Sequence, residues 1–178
     1  MTDAGPRIKT PTGSRSFGTP LDAAMDAFAA AVVRSSAVDP LVTELVRLRC
    51  AQYHDCRLCG SLRWQDAIDA GLDEAMVEKI ARHEHSDLGD AAKAALRLTD
   101  AMVIDPSLVD DELYGQLRES FTDVQIAELC LDIMKWSKQK FLVALRLERP
   151  AWDGIETLSF DDRGEPRFGT APPAVAAP

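Results

Sequence analysis

An all-α domain of about six main helices is the fold this chain predicts, and three observations carry that expectation. Apolar residues recur at spacings of three and four through most of the sequence. No convincing stretch alternates polar and apolar residues as a half-buried strand does, and helix start and stop signals punctuate the pattern. With 178 residues, a single domain can bury its own hydrophobic core without a disulfide framework or a structural metal.

The first helix is expected from about Leu21 to Ser35, with Ala, Met, Phe and Val gathered on one face. Asp39 and Pro40 open a second that reaches His54: Asp is a good N-cap, and Pro in the first turn lacks only an N–H that has no helical partner there. A third is read from Asp55, taken as its cap, to Ala70, with Gly71 as the C-terminal cap. Asp73 starts a short fourth helix ending near His83, and a fifth spans about Asp87 to Ile104, halted by Asp105-Pro106. A brief helix from Asp110 to Glu119 leads to the sixth, opened by Thr122 with Gln125 as a capping box and continuing to Leu147. Around this helical domain, residues 21–148, the sequence predicts a flexible N-terminal arm over residues 1–20 and a C-terminal tail over 149–178. Trp152, Ile155, Leu158 and Phe160 predict that the tail is partly ordered or packed on a neighbouring subunit, although it finishes in Ala-Pro repeats.

Charge and hydropathy exclude several classes of partner. Acidic residues outnumber basic ones 29 to 20 for a net charge of -9, and the basic residues are scattered, which argues against nucleic acid and anionic membranes. No apolar run approaches the roughly 20 residues that span a bilayer. The N-terminal segment lacks the apolar block of a secretory signal, so a reducing cytoplasm is the expected location. Four cysteines in that setting point to redox or metal chemistry more readily than to structural disulfides.

The pattern that carries chemistry is Cys56-Arg57-Leu58-Cys59. Two thiols three positions apart can exchange electrons with each other, and a helix start lowers a thiol pKa from about 8.5 into the range of roughly 3.5–7.5. On one continuous third helix Cys56, Cys59 and Arg63 share a face that Ala67 and Ala70 continue with small side chains. Glu44, Leu48 and Gln52 form a line on the preceding helix, and a hairpin of the two helices brings Glu44 toward the cysteines. Competing readings are inert buried thiols, a zinc site completed by His83 and His85, an exposed Glu44, and Arg63 paired on the surface with Asp66 or Asp69. Zinc needs about four ligands, whereas His83-Glu84-His85 reads as a solvated helix end, so neither metal nor cofactor is expected. Cys50 and Cys130 sit at apolar helical positions and read as core, as do Trp136, Phe141 and Leu145.

The stretch from Thr43 to Cys59 resembles the core of the AhpD-like alkylhydroperoxidase and carboxymuconolactone decarboxylase family. Thiol-active members carry a Glu, a Cys-x-x-Cys twelve residues later and a His four residues beyond the second cysteine. Glu44, Cys56 and Cys59 match in type and spacing, and Arg63 stands at the His position. The resemblance implies an AhpD-like helical fold and a thiol-dependent hydroperoxide reductase. Cys59 would attack the peroxide and Cys56 would resolve the sulfenic acid as a disulfide, which an external dithiol then reduces. It also implies a homo-oligomer, trimer or hexamer. In the family Glu and His relay protons to the thiols. Arg63 stays protonated and can stabilise a thiolate without relaying a proton, so His54, just before the pair, is the substitute candidate. A redox-sensing or scaffold protein of the same fold is the alternative, and lactone decarboxylation ranks below both because that branch does not use a cysteine pair.

Overall fold

The computed structural model of the protein describes residues 5–11 and 17–169. The remainder of the expected N-terminal arm and the Ala-Pro end of the tail lie outside the described residues. The architecture is predominantly helical, as expected, with a small three-stranded sheet that the periodicity does not announce.

At the centre stands α2 (Pro40–His54), packed against α6 (Asp90–Ile104) and α8 (Asp123–Ser137). Asp39 caps it by accepting the Leu41 N–H at 2.8 Å. From Thr43 to Leu48 every side chain is buried, because α2 feeds two cores. Val46 and Cys50 join Leu98, Leu117, Leu129 and Ile133 on one side. Leu45 and Leu48 join Trp64, Ile80 and Leu96 on the other. Helix α1 (Pro20–Val33) packs on α8, and α7 (Asp111–Ser120) packs on α6. The Thr122–Gln125 capping box opens α8 as the sequence predicts.

The chain departs from the predicted helices in several places. First, Asp55 does not start a helix. It ends α2 in the left-handed region at φ 51, where Asp is among the few residues tolerated, and the Cys56 N–H closes back on the Ala51 carbonyl at 3.0 Å.

Second, the continuous helix read from Asp55 to Ala70 is broken. It becomes the single turn α3 (Arg57–Gly60), the strand β1 (Leu62–Trp64) and α4 (Gln65–Asp69). Two buried arginines explain the break by taking carbonyls that a helix needs as acceptors. Arg47 donates to the Cys59 carbonyl at 2.7 Å and the Leu62 carbonyl at 2.6 Å. Arg63 donates to the Gly60 carbonyl at 2.8 Å and the Leu62 carbonyl at 2.7 Å.

Third, the sixth helix stops at Ser137 and resumes as α9 (Gln139–Leu145), while the expected fourth helix is α5 (Glu74–Lys79) followed by 3-10 turns to His85.

The tail folds back onto its own domain. Strand β2 (Glu156–Phe160) pairs in parallel with β1, and β3 (Pro166–Phe168) pairs antiparallel with β2. The hairpin rests on α1: at Gly164, φ +81, an added Cβ would lie 2.7 Å from the Ala30 Cα, so only glycine fits. At the other end of the chain, Arg7 N–H bonds the Leu145 carbonyl at 3.0 Å and Phe17 packs edge-on against Phe141. Among the described residues no helix is long and apolar enough to cross a membrane.

Candidate active site

Cys56 is the N-cap of α3, its sulfur accepting the Cys59 N–H at 3.4 Å, and the two Sγ atoms lie 2.7 Å apart. Both side chains pack with Leu58 and Ala51 against Val143 and Trp152. Tail contacts hold this turn in place: the Leu58 N–H donates to the Glu148 carbonyl at 2.8 Å, Arg57 pairs with the Glu148 carboxylate at 2.7 Å, and the Trp152 indole N–H donates to Ser61 Oγ at 3.1 Å. The Cys59 thiol holds Cys56 below the ordinary thiol range, against the cost of burial, with the Cys59 N–H and the Arg47 charge acting in the same direction. A pair this close titrates as a unit, and its first proton leaves more easily than that of an isolated thiol.

Two cysteines that look chemically similar in sequence thus separate. Cys59 is 8% exposed and Cys56 2%, and only Cys59 lines a cavity of about 220 Å³. Its walls are apolar, formed by Leu58, Leu62, Leu142, Leu158, Phe160 and Phe168. Strands β2 and β3 therefore close one side of the space in front of the Cys59 sulfur. The polar groups facing it are Arg47, Lys135, Lys138, Gln139, Asp26 and Glu165.

The other expected site residues are distributed differently from the predicted shared face. Glu44 is buried and bonded to Arg47 through both oxygens, one of which accepts the Trp64 N–H at 3.1 Å. Burial works against the Arg47 charge, but Glu44 more than offsets it, so the guanidinium stays protonated between the carboxylate and the thiols. Arg63 lies on β1, not on a helical face with the cysteines. Its guanidinium is bidentate to Glu74 at 2.8 and 2.9 Å, a partner neither Asp66 nor Asp69. His54 ends α2 with Nε2 buried and without a hydrogen-bond partner, and burial together with Lys140 depresses its pKa. Glu44, Cys56, Arg63 and His54 are absent from the residues lining the Cys59 cavity. Cys50 is fully buried, and burial pushes its thiol up to about 12, in keeping with packing. His83 is turned to the Ile80 carbonyl at 3.1 Å and lies near Asp100. Among the described residues no group of three or more His, Cys, Asp and Glu side chains is arranged to hold a metal ion.

Three groups at the cavity escape sequence reasoning. Arg47 carried one signal, its place three residues after Glu44 inside an apolar run. Lys135 is 6% exposed, lies over the Trp136 ring and has Phe160 5.3 Å away. Gln139, 3% exposed, leaves both amide atoms without a hydrogen-bond partner.

Comparison with known proteins fits this geometry. Residues 20–101 match the profile of the carboxymuconolactone decarboxylase family. Over that segment the chain is similar to the family. The matched segment stops before α8, so Lys135, Gln139 and the β2–β3 hairpin lie outside it. The uncharacterized protein Rv2313c of Mycobacterium tuberculosis, and MT2376 from a second strain, are each 40% identical over 154 residues, 85% of this chain and 54% of the relative. The chain thus spans about half the length of these curated relatives. The uncharacterized protein YdfG of Bacillus subtilis is 28% identical over 110 residues, 59% of this chain and 75% of that protein. The crystal structure of ATU0492 from Agrobacterium tumefaciens superposes with a TM-score of 0.66 at 20% identity, over 83% of this chain and 99% of that one. That protein is described as of unknown function and as a candidate antioxidant defence protein, AhpD. The likeness establishes a shared AhpD-like helical fold.

Proposed function

We propose that the protein reduces hydroperoxides through a dithiol–disulfide cycle of Cys59 and Cys56. The observation that carries this reading is the asymmetry of the pair: Cys59 lines an apolar cavity, with the Cys56 sulfur 2.7 Å from its own. The cavity admits the organic end of a hydroperoxide, and the Cys59 thiolate attacks the distal oxygen. The O–O bond breaks, Cys59 becomes a sulfenic acid and an alkoxide departs. Cys56 then attacks the Cys59 sulfur, water leaves, and an external dithiol reduces the disulfide. Arg47, buried beside both sulfurs, favours the thiolate. Glu44 holds Arg47 in place, and Arg63 anchors β1 through Glu74.

Peroxide consumption with a small dithiol donor tests the cycle. Cys59→Ser abolishes turnover and Cys50→Ser leaves it intact. Cys56→Ser lets the Cys59 sulfenic acid accumulate, where dimedone captures it and mass spectrometry reads it. Unchanged turnover in Cys59→Ser overturns the proposal, and oxidation that stops after one equivalent with every donor points to a redox sensor instead. Self-assembly into a trimer or hexamer belongs to the same proposal. The exposed apolar residues Val124, Leu131 and Met134 along α8 supply a surface for it.

A further inference from the structure

In a cycle of this kind protons must reach two departing oxygens, and the groups that the family pattern offers for the task are engaged elsewhere. Glu44 is saturated by Arg47 and the Trp64 N–H. Arg63 is fixed by Glu74 and two carbonyls, and a guanidinium does not give up its proton. Two lysines line the cavity that holds Cys59, and of these Lys135 is buried while Lys138 is half-exposed. We propose that Lys135 is the acid–base group of this site, carrying protons between the two thiols and the departing oxygens; this rests on the hydroperoxide-reductase reading above.

The surroundings suit that role. From α2 comes Arg47, from α3 Cys59, from α8 itself Asp132 with Lys138 just beyond its end, from α1 Asp26, and from the β2–β3 turn Glu165. Burial, with Arg47 and Lys138 adding like charge, holds the Lys135 ammonium well below the usual lysine range, while Asp132 and Cys59 pull the other way. An amine so placed gives up its proton more readily than a solvated lysine does. Gln139, one turn further along the chain, presents a buried amide whose donor and acceptor are both unused. Leaving such groups unpaired is costly, and the polar end of a bound hydroperoxide satisfies them beside Lys135.

The proton account closes. The cycle starts from the form of the site in which Cys59 is thiolate, Cys56 thiol and Lys135 ammonium. Attack on ROOH gives Cys59–SOH and RO⁻, and Lys135 protonates RO⁻ to ROH. The neutral amine then takes the Cys56 proton, and the Cys56 thiolate displaces hydroxide from Cys59–SOH. Lys135 returns that proton, forming water and leaving the disulfide with a neutral amine. Reduction by the external dithiol delivers two electrons and two protons to the cysteines, and transfer of the Cys59 proton to Lys135 restores the starting state.

Single-turnover disulfide formation with excess cumene hydroperoxide, followed from pH 5 to 9, tests the assignment. Lys135→Met and Lys135→Arg both slow the step by about 10²-fold or more. Lys135→Arg does so although it keeps the charge, and both lose the pH dependence seen in the wild type. Lys135→Ala leaves space for a small amine, and ethylamine restores the rate in proportion to its concentration. Gln139→Leu raises the hydroperoxide concentration needed for half-maximal rate and leaves the pH profile in place. Disulfide formation at the wild-type rate in any folded Lys135 variant overturns the proposal, as does a loss that is equal at every pH and indifferent to ethylamine. Failure of the wild type itself to form the disulfide overturns the reductase reading, and the role of Lys135 falls with it. A wild type that cycles beside unaffected Lys135 variants removes the lysine alone.

Discussion

At the scale of single residues, the site rests on buried charges whose partners are supplied from a distance. Arg47 is the clearest case, since its guanidinium joins Glu44 to two carbonyls of the cysteine loop. Removing one member of a buried pair leaves the other uncompensated, so Arg47→Met is expected to cost about 3–5 kcal/mol in denaturant unfolding. Thiolate absorbance at 240 nm should show the first cysteine proton leaving at higher pH. The double change Glu44→Gln with Arg47→Met should recover part of the stability but none of the thiolate shift. Asp132 gives a second expectation. Burial, with Glu128 adding like charge, raises its pKa from 3.8 to about 7. The folded state therefore binds more protons than the unfolded state between those values, and this residue's contribution to stability falls as pH rises through that window. Asp132→Asn removes the dependence and should be more stable than the wild type at pH 8 by up to about 4 kcal/mol, with the difference shrinking toward pH 4. Parallel urea titrations at the two pH values check it. Glu44 and the cysteine pair were legible because their spacing is local to the chain. The partner of Arg63 was not, because Glu74 lies across a strand and a helix that the helical reading had fused.

At the scale of elements, the informative differences are where helices stop. Asp55 reads equally well as the start of one helix or the end of another. Its left-handed backbone chooses the second, and only then does Cys56 become an N-cap. A one-turn helix has little dipole to offer a thiolate, so the lowered Cys56 pKa is drawn first from the Cys59 thiol. Strand β2 left a signal in Leu158 and Phe160, two apart among polar residues and both facing the cavity. Strand β1 left none, since its three residues are all buried and its pairing comes from the tail. The hairpin's seat on α1 yields a test. Gly164→Val forces a side chain against Ala30 and a disfavoured backbone conformation, at an expected cost of about 1–3 kcal/mol. The same change should weaken binding of an apolar fluorescent probe in the Cys59 cavity. A denaturation midpoint and probe affinity equal to the wild type would show that the hairpin does not close this space.

At the scale of the whole molecule, a nearly all-round buried α2 organises two cores and carries Glu44 and Arg47 between them. Light scattering is expected to return three or six times the 19.5 kDa of the chain, and Leu131→Glu on the exposed face of α8 to reduce that mass. A monomer at micromolar concentration would remove self-assembly from the proposal. The sequence by itself determined the helical class, the main helices outside the cysteine loop and the Glu–Cys-x-x-Cys pattern, because caps, periodicity and motif spacing are properties of neighbouring residues. Tertiary structure alone decided which cysteine meets the cavity, that Arg47 rather than Arg63 lines it, and that Lys135 and the folded-back tail complete its walls. Each of those depends on desolvation and on pairing between segments far apart in the chain.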